Sequence, residues 1–319
     1  MKRRVAVLGV ALAMLVTGCA GPGPGAGPEV SAPSVASPSA PATSPSVAGP
    51  RGSAAASRPA KLLTIVEENH SEQTALAKMP YLAGLSANYG RTSAYSALAH
   101  PSLPNYLALV GGSTFGVTDD ASPAAHPLPG PSVFDQAISA GRTAKAYIEA
   151  MPSPCALSNS GRYAVRHNPW TYFADPTERA HCQAYDVPAG TPSAGALHDD
   201  VTAGTLPTLG WVTPDLCNDA HNCPARVADD WLRGWLPVIM DGPDFRAGRL
   251  AVVVTFDEAE GSGPNTVLTT LVAPGVRHVV SAANCTHYCW TRYAAELTGT
   301  PPLRQAAGSP SLSTAFGLG

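Results

Sequence analysis

Charge is scarce in this chain of 319 residues: Asp, Glu, Lys and Arg together make up 13% of it, and the formal net charge is −3. That composition lacks the concentrated positive field on which phosphate-backbone binding depends, so nucleic acid is excluded as a partner. Long apolar runs are scarcer still. Beyond the first residues no stretch approaches the roughly 20 apolar residues of a membrane-spanning helix, which excludes a multi-spanning protein. Cysteine is also sparing, with seven residues, of which six follow Cys19.

The one sustained apolar run sits at the start. Lys2, Arg3 and Arg4 precede Val5 to Val16, a segment of signal-peptide length and too short to span a bilayer comfortably. It ends in Leu15-Val16-Thr17-Gly18-Cys19, a pattern similar to a bacterial lipobox, in which the cysteine becomes the acylated first residue. Residues 1–19 are therefore expected to be a lipoprotein leader, with the mature protein extracytoplasmic and lipid-anchored or secreted. Residues 20–60 collapse to Pro, Ala, Ser and Gly, a composition that cannot bury enough apolar surface to offset its ordering entropy. This segment reads as a tether, about 35 Å long as a coil and roughly 120 Å as extended polyproline. Loss of the three leader cations leaves 17 basic residues against 23 acidic ones, which strengthens the case against nucleic acid.

Residues 61–319 are long for one domain but within the range of a single α/β unit. Lys61 to Val66 and Arg249 to Phe256 are continuous apolar, β-branched runs of the kind found in parallel strands buried on both faces. Further strands are predicted over 91–98, 143–149, 208–213 and 266–273. Helices are predicted over 81–89, up to the Gly111-Gly112 pair, over 132–140 with Ser132 as its cap, over 227–240 and over 288–297. Residues 151–207, rich in Pro, Gly and Ser, are expected to form an irregular insertion. Strands alternating with helices imply a mostly parallel central sheet with helices on both faces, whose ligands bind beyond the carboxyl ends of the strands. Glu67, Glu68, Asn69, Glu149, Asp257 and Glu258 all fall at such ends.

Carboxylates converging from separate strands repel one another unless a proton or cation lies between them. Glu68, Asn69, Asp257 and Glu258 offer hard oxygen ligands suited to Ca²⁺, Mg²⁺ or Mn²⁺, and a histidine would extend the choice to Zn²⁺ or Fe. Taken singly, each carboxylate among them reads as a solvated loop residue; together, behind two buried strands, they point to a site. Ser102 precedes a predicted helix, where it can act as an N-cap, and the same position offers free N–H groups that stabilise an alkoxide and a bound phosphate. His100, His167, His221 and His287 are candidate phosphate contacts, metal ligands or leaving-group acids. Among the cysteines the close spacings favour Cys217 with Cys223 and Cys285 with Cys289, leaving Cys155 for Cys182. The alternative for Cys285-Thr-His-Tyr-Cys289 is a metal site.

Six runs, in order, resemble one family: Val66-Glu-Glu-Asn69, His100-Pro-Ser-Leu-Pro-Asn-Tyr-Leu-Ala-Leu109, Arg166-His-Asn-Pro-Trp170, Asn218-Asp-Ala-His221, Val254-Thr-Phe-Asp-Glu258 and Thr286-His-Tyr288. They are similar to the phosphoesterase family of bacterial acid phosphatases and phospholipases C, and most of all to secreted acid phosphatases acting on phosphatidylinositol 3-phosphate. The resemblance implies an alkaline-phosphatase-like fold and a metal-dependent hydrolase of phosphate esters. It implies Ser102 as nucleophile, Asn105 as a ligand to a phosphate oxygen, Glu68, Asn69, Asp257 and Glu258 as the divalent-metal shell, and His167, His221 and His287 about the phosphoryl group or leaving oxygen. The implied substrate is a phosphate ester, with a phospholipid or phosphoinositide head group as one candidate. A phospholipase C-type phosphodiesterase and a non-catalytic ligand-binding lipoprotein are the competing readings. Phe256 in place of Trp and the short loop 259–265 depart from the family pattern and leave substrate specificity open.

Overall fold

A computed structural model describes residues 58–261 and 263–318. The leader, Cys19 and nearly all of the tether lie outside the described residues. The first elements are β1 (Lys61–Glu67), α1 (Glu72–Lys78), α2 (Pro80–Asn88), β2 (Gly90–Thr92), β3 (Tyr95–Ser96), α3 (Ser102–Gly111) and α4 (Val133–Ser139). Next come β4 (Ala144–Ile148), α5 (Pro176–Tyr185), β5 (Asp186–Pro188), α6 (Ala196–Ala203), β6 (Leu209–Thr213), α7 (Ala225–Asp241) and α8 (Pro243–Arg246). The chain closes with β7 (Leu250–Phe256), β8 (Thr270–Val272), β9 (Val279–Ser281), β10 (Cys285–Thr286), α9 (His287–Thr298) and α10 (Leu312–Ala315).

Eight strands form one sheet in the order β5-β4-β6-β1-β7-β8-β2-β9, and β10 pairs with β3 apart from it. From β5 to β7 every pairing is parallel, while β8 runs antiparallel to both of its neighbours. The central strands are the two most apolar runs of the sequence. Apart from Lys61, every residue of β1 and β7 is buried, as expected of strands covered on both sides. In register, Leu62 stands beside Leu209 and Ala251, and Glu67 beside Phe256. Both strands therefore end at one level, and the acidic residues that follow them leave the sheet side by side.

Helices pack in two groups, α3 with α4 and α9, and α7 with α1, α2, α6 and α8. Across the core, Trp290 of α9 donates its indole N–H to Thr64 of β1 at 2.7 Å and meets Trp211 of β6 edge-on at 5.5 Å. α3 is buried along its whole length and ends at Gly112 in the left-handed region, where a Cβ would lie 2.3 Å from the Leu303 carbonyl oxygen. Among the described residues no helix is long and apolar enough to cross a membrane.

Three expectations change. Residues 151–207 are ordered into two 3₁₀ turns, α5, β5 and α6, with the Cys155–Cys182 disulfide tying α5 to the loop before it. These short elements have little periodicity of their own and hold their shape through tertiary contact. The strand expected over 91–98 is split into β2 and β3, which belong to different sheets. Cys217 and Cys223 are bonded, but Cys285 and Cys289 are buried free thiols. Cys285 lies in β10 and Cys289 in the first turn of α9, and both belong to the apolar core, where a thiol packs as a small hydrophobic group.

Candidate active site

The site begins with the way β1 ends. Successive side chains of a strand face opposite sides, so Glu67 and Glu68 diverge. Asn69 then adopts a left-handed conformation (φ 50°), which asparagine tolerates better than most residues, and its N–H donates to Asp257 Oδ1 at 3.0 Å. Asp257 follows β7 directly, and its own N–H is fixed by the Glu67 carbonyl at 3.0 Å. Two strand ends are thus locked together through their backbones, with Glu68 and Asp257 between them.

Ser102 is the first residue of α3, with Pro101 rather than Ser102 as the cap. The N-terminus is instead satisfied from a distance, since Leu103 N–H donates to Asp120 Oδ1 at 2.9 Å. The Ser102 hydroxyl donates to Glu68 Oε2 at 3.1 Å and also contacts the Asp257 carboxylate. Tyr106, one turn on, donates to Glu68 Oε1 at 2.5 Å and stacks on His167 with ring centroids 5.3 Å apart. His167 lies with Nε2 3.2 Å from Glu68 Oε1 and Nδ1 3.3 Å from Asp219 Oδ2. His221 completes a cluster whose ligand atoms, one each from Glu68, His167 and His221, all lie within 4.8 Å of one another.

The sequence-predicted residues Glu68, Asn69, Ser102, Asp257, His167 and His221 therefore assemble in one place. Others have different roles. Asn105 spends its amide on the loop before α3: Oδ1 accepts from Leu98 N–H at 2.9 Å and Ala99 N–H at 3.1 Å, and Nδ2 donates to the Ala99 carbonyl at 2.8 Å. It shapes the Ser102 loop, and its Nδ2 donors are already turned to the Ala99 carbonyl and, at 3.4 Å, to the Pro101 carbonyl and Glu258 Oε2. His287 is fully buried; its Nε2–H donates to the Asp257 carbonyl at 2.6 Å and its Nδ1 accepts from Tyr95 at 3.2 Å, so it braces Asp257 from behind. His100 is half-exposed and pairs through Nδ1 with Glu258 Oε2 at 2.8 Å, beside the contact from Asn105. Asp219, Tyr106, Arg166 and Asp120 were not singled out from sequence. Asp219 and Arg166 lie inside quoted motifs, next to histidines that carried more obvious chemistry.

Burial followed by Asp257 and Asp219 holds the Glu68 carboxyl well above the ordinary range. Burial raises Asp257 to about 7 against the pull of the Asn69 N–H and the Ser102 hydroxyl, and raises Asp219 to about 8. Burial together with Asp257 raises Glu258 to about 8. His167 is driven well below its usual value by burial and then by Arg166, so it is a neutral imidazole. Asn69 Oδ1, Asp257 Oδ2, Asp219 Oδ2 and His167 Nε2 are buried and lack hydrogen-bond partners. Unsatisfied oxygen acceptors beside carboxylates that resist ionisation are what a divalent cation stabilises, so the donor set fits one.

Residues 66–266 match the phosphoesterase family. Phosphatidylinositol-3-phosphatase of Mycobacterium tuberculosis is 28% identical over 263 residues, covering 81% of this chain and 83% of that protein. Phosphate-repressible acid phosphatase of Penicillium chrysogenum is 32% identical over 228 residues, covering 66% of this chain and 52% of its own length, so the chain spans about half of that relative. Among solved structures, an alkaline phosphatase superfamily protein from Vibrio parahaemolyticus superposes with a TM-score of 0.54 at 11% identity, over 82% of this chain and 72% of the other, which identifies the fold. With the motifs in order, the parallel sheet of that superfamily and named phosphatases among its relatives, the chain belongs to the phosphoesterase family and is a hydrolase of phosphate esters.

Proposed function

We propose that the protein is a metal-dependent phosphomonoesterase with Ser102 as nucleophile, tethered outside the cytoplasm through Cys19. The observation that carries this reading is the Ser102 hydroxyl, at the first position of a ten-residue helix and 3.1 Å from Glu68 Oε2, in contact with Asp257 as well. Glu68, Asn69 and Asp257 are the residues that would hold the cation, with Glu258 beside them. When bound, a divalent cation supplies a lowered pKa for the serine hydroxyl and neutralises charge on the phosphoryl oxygens.

The residues of the chain supply the rest. The helix N-terminus favours the developing alkoxide and the incoming phosphate. Ser102 attacks phosphorus in line with the departing alcohol, and its proton passes to a neighbouring carboxylate. His221 borders the site through Nε2, which accepts from Arg166 Nη2 at 3.0 Å, while its Nδ1 donates to Asn222 Oδ1 at 2.8 Å. Water then hydrolyses the phosphoserine from the side the alcohol vacated.

The mycobacterial relative's name favours a phosphoinositide monoester as substrate. Residues 1–19 and the Pro/Ala/Ser/Gly tether favour placement at a membrane surface, where such a head group is found. Ser102→Ala should lower turnover of p-nitrophenyl phosphate by at least about a thousandfold, with thermal unfolding unchanged within a few degrees. Retention of a tenth of the activity would remove Ser102 from the mechanism. Release of a phosphorylated head group rather than inorganic phosphate from a phospholipid would shift the reading to a phospholipase C.

A further inference from the structure

We propose that Glu149 and the Cys217–Cys223 disulfide together clamp the loop after β6, and that Glu149 is the positioning residue that sets Asp219 and His221 beside Glu68 and His167. This rests on the hydrolase reading above.

Residues 214–224 join β6 to α7 without regular structure of their own. Asp219 and His221 reach the site from this loop, and their placement follows its shape. Asp219 is fully buried: Oδ1 accepts from His221 N–H at 2.7 Å, while Oδ2 faces His167 Nδ1 at 3.3 Å without a hydrogen bond. The Asp219 carbonyl accepts from Glu68 N–H at 2.9 Å, so a shift of the loop moves the end of β1 as well. Between the two, Ala220 lies in the left-handed region (φ 72°), which a non-glycine residue keeps only where its surroundings impose it.

The loop's own bonds close it into a ring. Asp215 Oδ1 accepts from Cys217 N–H at 2.9 Å and Asn218 N–H at 3.0 Å, Asn222 N–H donates to the Leu216 carbonyl at 2.7 Å, and the disulfide joins positions six apart. Such a ring narrows the conformations open to Asp219, Ala220 and His221, but it does not by itself fix them against the sheet.

Glu149 does so. It follows β4 directly, with its N–H on the Thr213 carbonyl at 2.9 Å. Its Oε2 accepts from Asp215 N–H at 2.9 Å and Asn218 Nδ2 at 3.0 Å, and its Oε1 accepts from Trp231 Nε1 of α7 at 3.2 Å. One carboxylate thus ties the end of β4 to the loop's backbone, to a side chain inside the disulfide ring, and to the helix that follows. Glu149 is a strand-end acid like Glu68 and Asp257, but three N–H donors occupy its oxygens, which gives it a holding role rather than a chemical one. A displacement of about 1 Å at a catalytic group costs on the order of a hundredfold in rate, so a hold of this kind reads out in turnover.

The test measures kcat and KM for p-nitrophenyl phosphate in the full chain, below the unfolding temperature of each protein, for the native sequence, Glu149→Gln, Asn218→Ala and the pair Cys217→Ser with Cys223→Ser. Asp200→Ala, which releases Lys145 and Tyr147 of β4 instead, is the control and should leave kcat unchanged. Glu149→Gln and the serine pair should each lower kcat by about ten- to a hundredfold with KM changed by less than about threefold, and Asn218→Ala should lower it by a smaller factor. Because both changes act on one loop, combining Glu149→Gln with the serine pair should lose little more than the larger single loss. Amide exchange followed by mass spectrometry should quicken over residues 214–224 and 66–70 in each variant. Full kcat in a folded Glu149→Gln or serine-pair protein, or losses that simply multiply on combination, overturns the proposal. Asn218→Ala removes a single bond and keeps the test decisive if the larger changes prevent folding: native kcat and native exchange there overturn it too. If the native protein hydrolyses no phosphate ester, the hydrolase reading fails, and the exchange rates alone decide whether Glu149 holds the loop.

Discussion

Between about pH 6.5 and 8, the extra stability that a divalent cation confers should widen. In the chelated protein the folded state holds protons on Asp257, raised to about 7, and on Glu258, raised to about 8, whereas the unfolded chain ionises both well below that range. Groups with raised folded-state values stabilise the fold fully at low pH and lose that contribution as pH rises through the folded value, at about 1.4 kcal/mol per pH unit for each extra proton held. The histidines act in the opposite sense. His287, lowered to about 4 by burial, and His167 are neutral in the fold, so their contribution is complete above the unfolded value of about 6.5 and is lost only at lower pH. Above pH 6.5 the carboxylates act alone. Two groups elsewhere, Glu178 raised to about 7 and Asp186 to about 8, contribute the same slope with or without a cation and cancel in the difference. One to two protons displaced over this window amount to about 2–3 kcal/mol, and at about 2–4 °C per kcal/mol for a domain of this size the gain from the cation should grow by about 4–12 °C. Thermal unfolding followed by tryptophan fluorescence, in chelator and in saturating Mg²⁺, Ca²⁺ or Mn²⁺ at each pH, measures it. A cation-dependent gain that is constant or shrinks as pH rises refutes the assignment of these carboxylates to a metal.

In a Cys19→Ser variant, two thiols should react with a disulfide reagent in denaturant and neither should react quickly in the native protein, because Cys285 and Cys289 are both buried; bridging of that pair would give none in denaturant. Asn105→Ala leaves the Leu98 and Ala99 N–H groups without partners, while the Ala99 carbonyl keeps its bond from Asn265 Nδ2 at 3.0 Å. It should cost about 2–4 kcal/mol in denaturant unfolding, at about 1–3 kcal/mol for each unsatisfied buried group after partial relaxation, and should lower kcat while leaving phosphate affinity largely intact. A loss in affinity with no loss in stability would return Asn105 to the substrate.

Much of the fold was legible because its centre is made of strong local signals. β1 and β7 are continuous apolar runs that stop at acidic residues, and the parallel sheet then requires those ends to meet. What was not legible depends on contacts that no local pattern encodes. Asp120 lies in a loop without periodicity, eighteen residues beyond Ser102, and its function exists only because the fold returns that loop to the start of α3. α5, β5 and α6 are too short to announce themselves and are held by the sheet edge and a disulfide. His287 sits in a family motif yet faces backwards onto the Asp257 carbonyl, a distinction of side-chain direction that spacing does not carry. The expectation for Cys285 and Cys289 came from compartment and spacing, which cannot weigh the apolar packing that places both thiols in the core.

The adjacent glutamates at the end of β1 show how differently the fold treats the two sides of its sheet. Glu68 faces α3, where Ser102 and Tyr106 donate to it. Glu67, leaving on the other face, has no hydrogen-bond partner for either oxygen. Burial and then Asp219, Glu149 and Asp229 push its carboxyl well above the ordinary range. The same dipeptide thus supplies a hydrogen-bonded carboxyl towards the nucleophile and an unpartnered one behind it, and the difference arises from the alternation of the strand and from what each face packs against. Unpartnered buried oxygens on both faces destabilise the strand ends. The continuous apolar β1, β6 and β7 at the centre of the sheet offset that cost, which explains why the most acidic part of the molecule rests on its most hydrophobic strands.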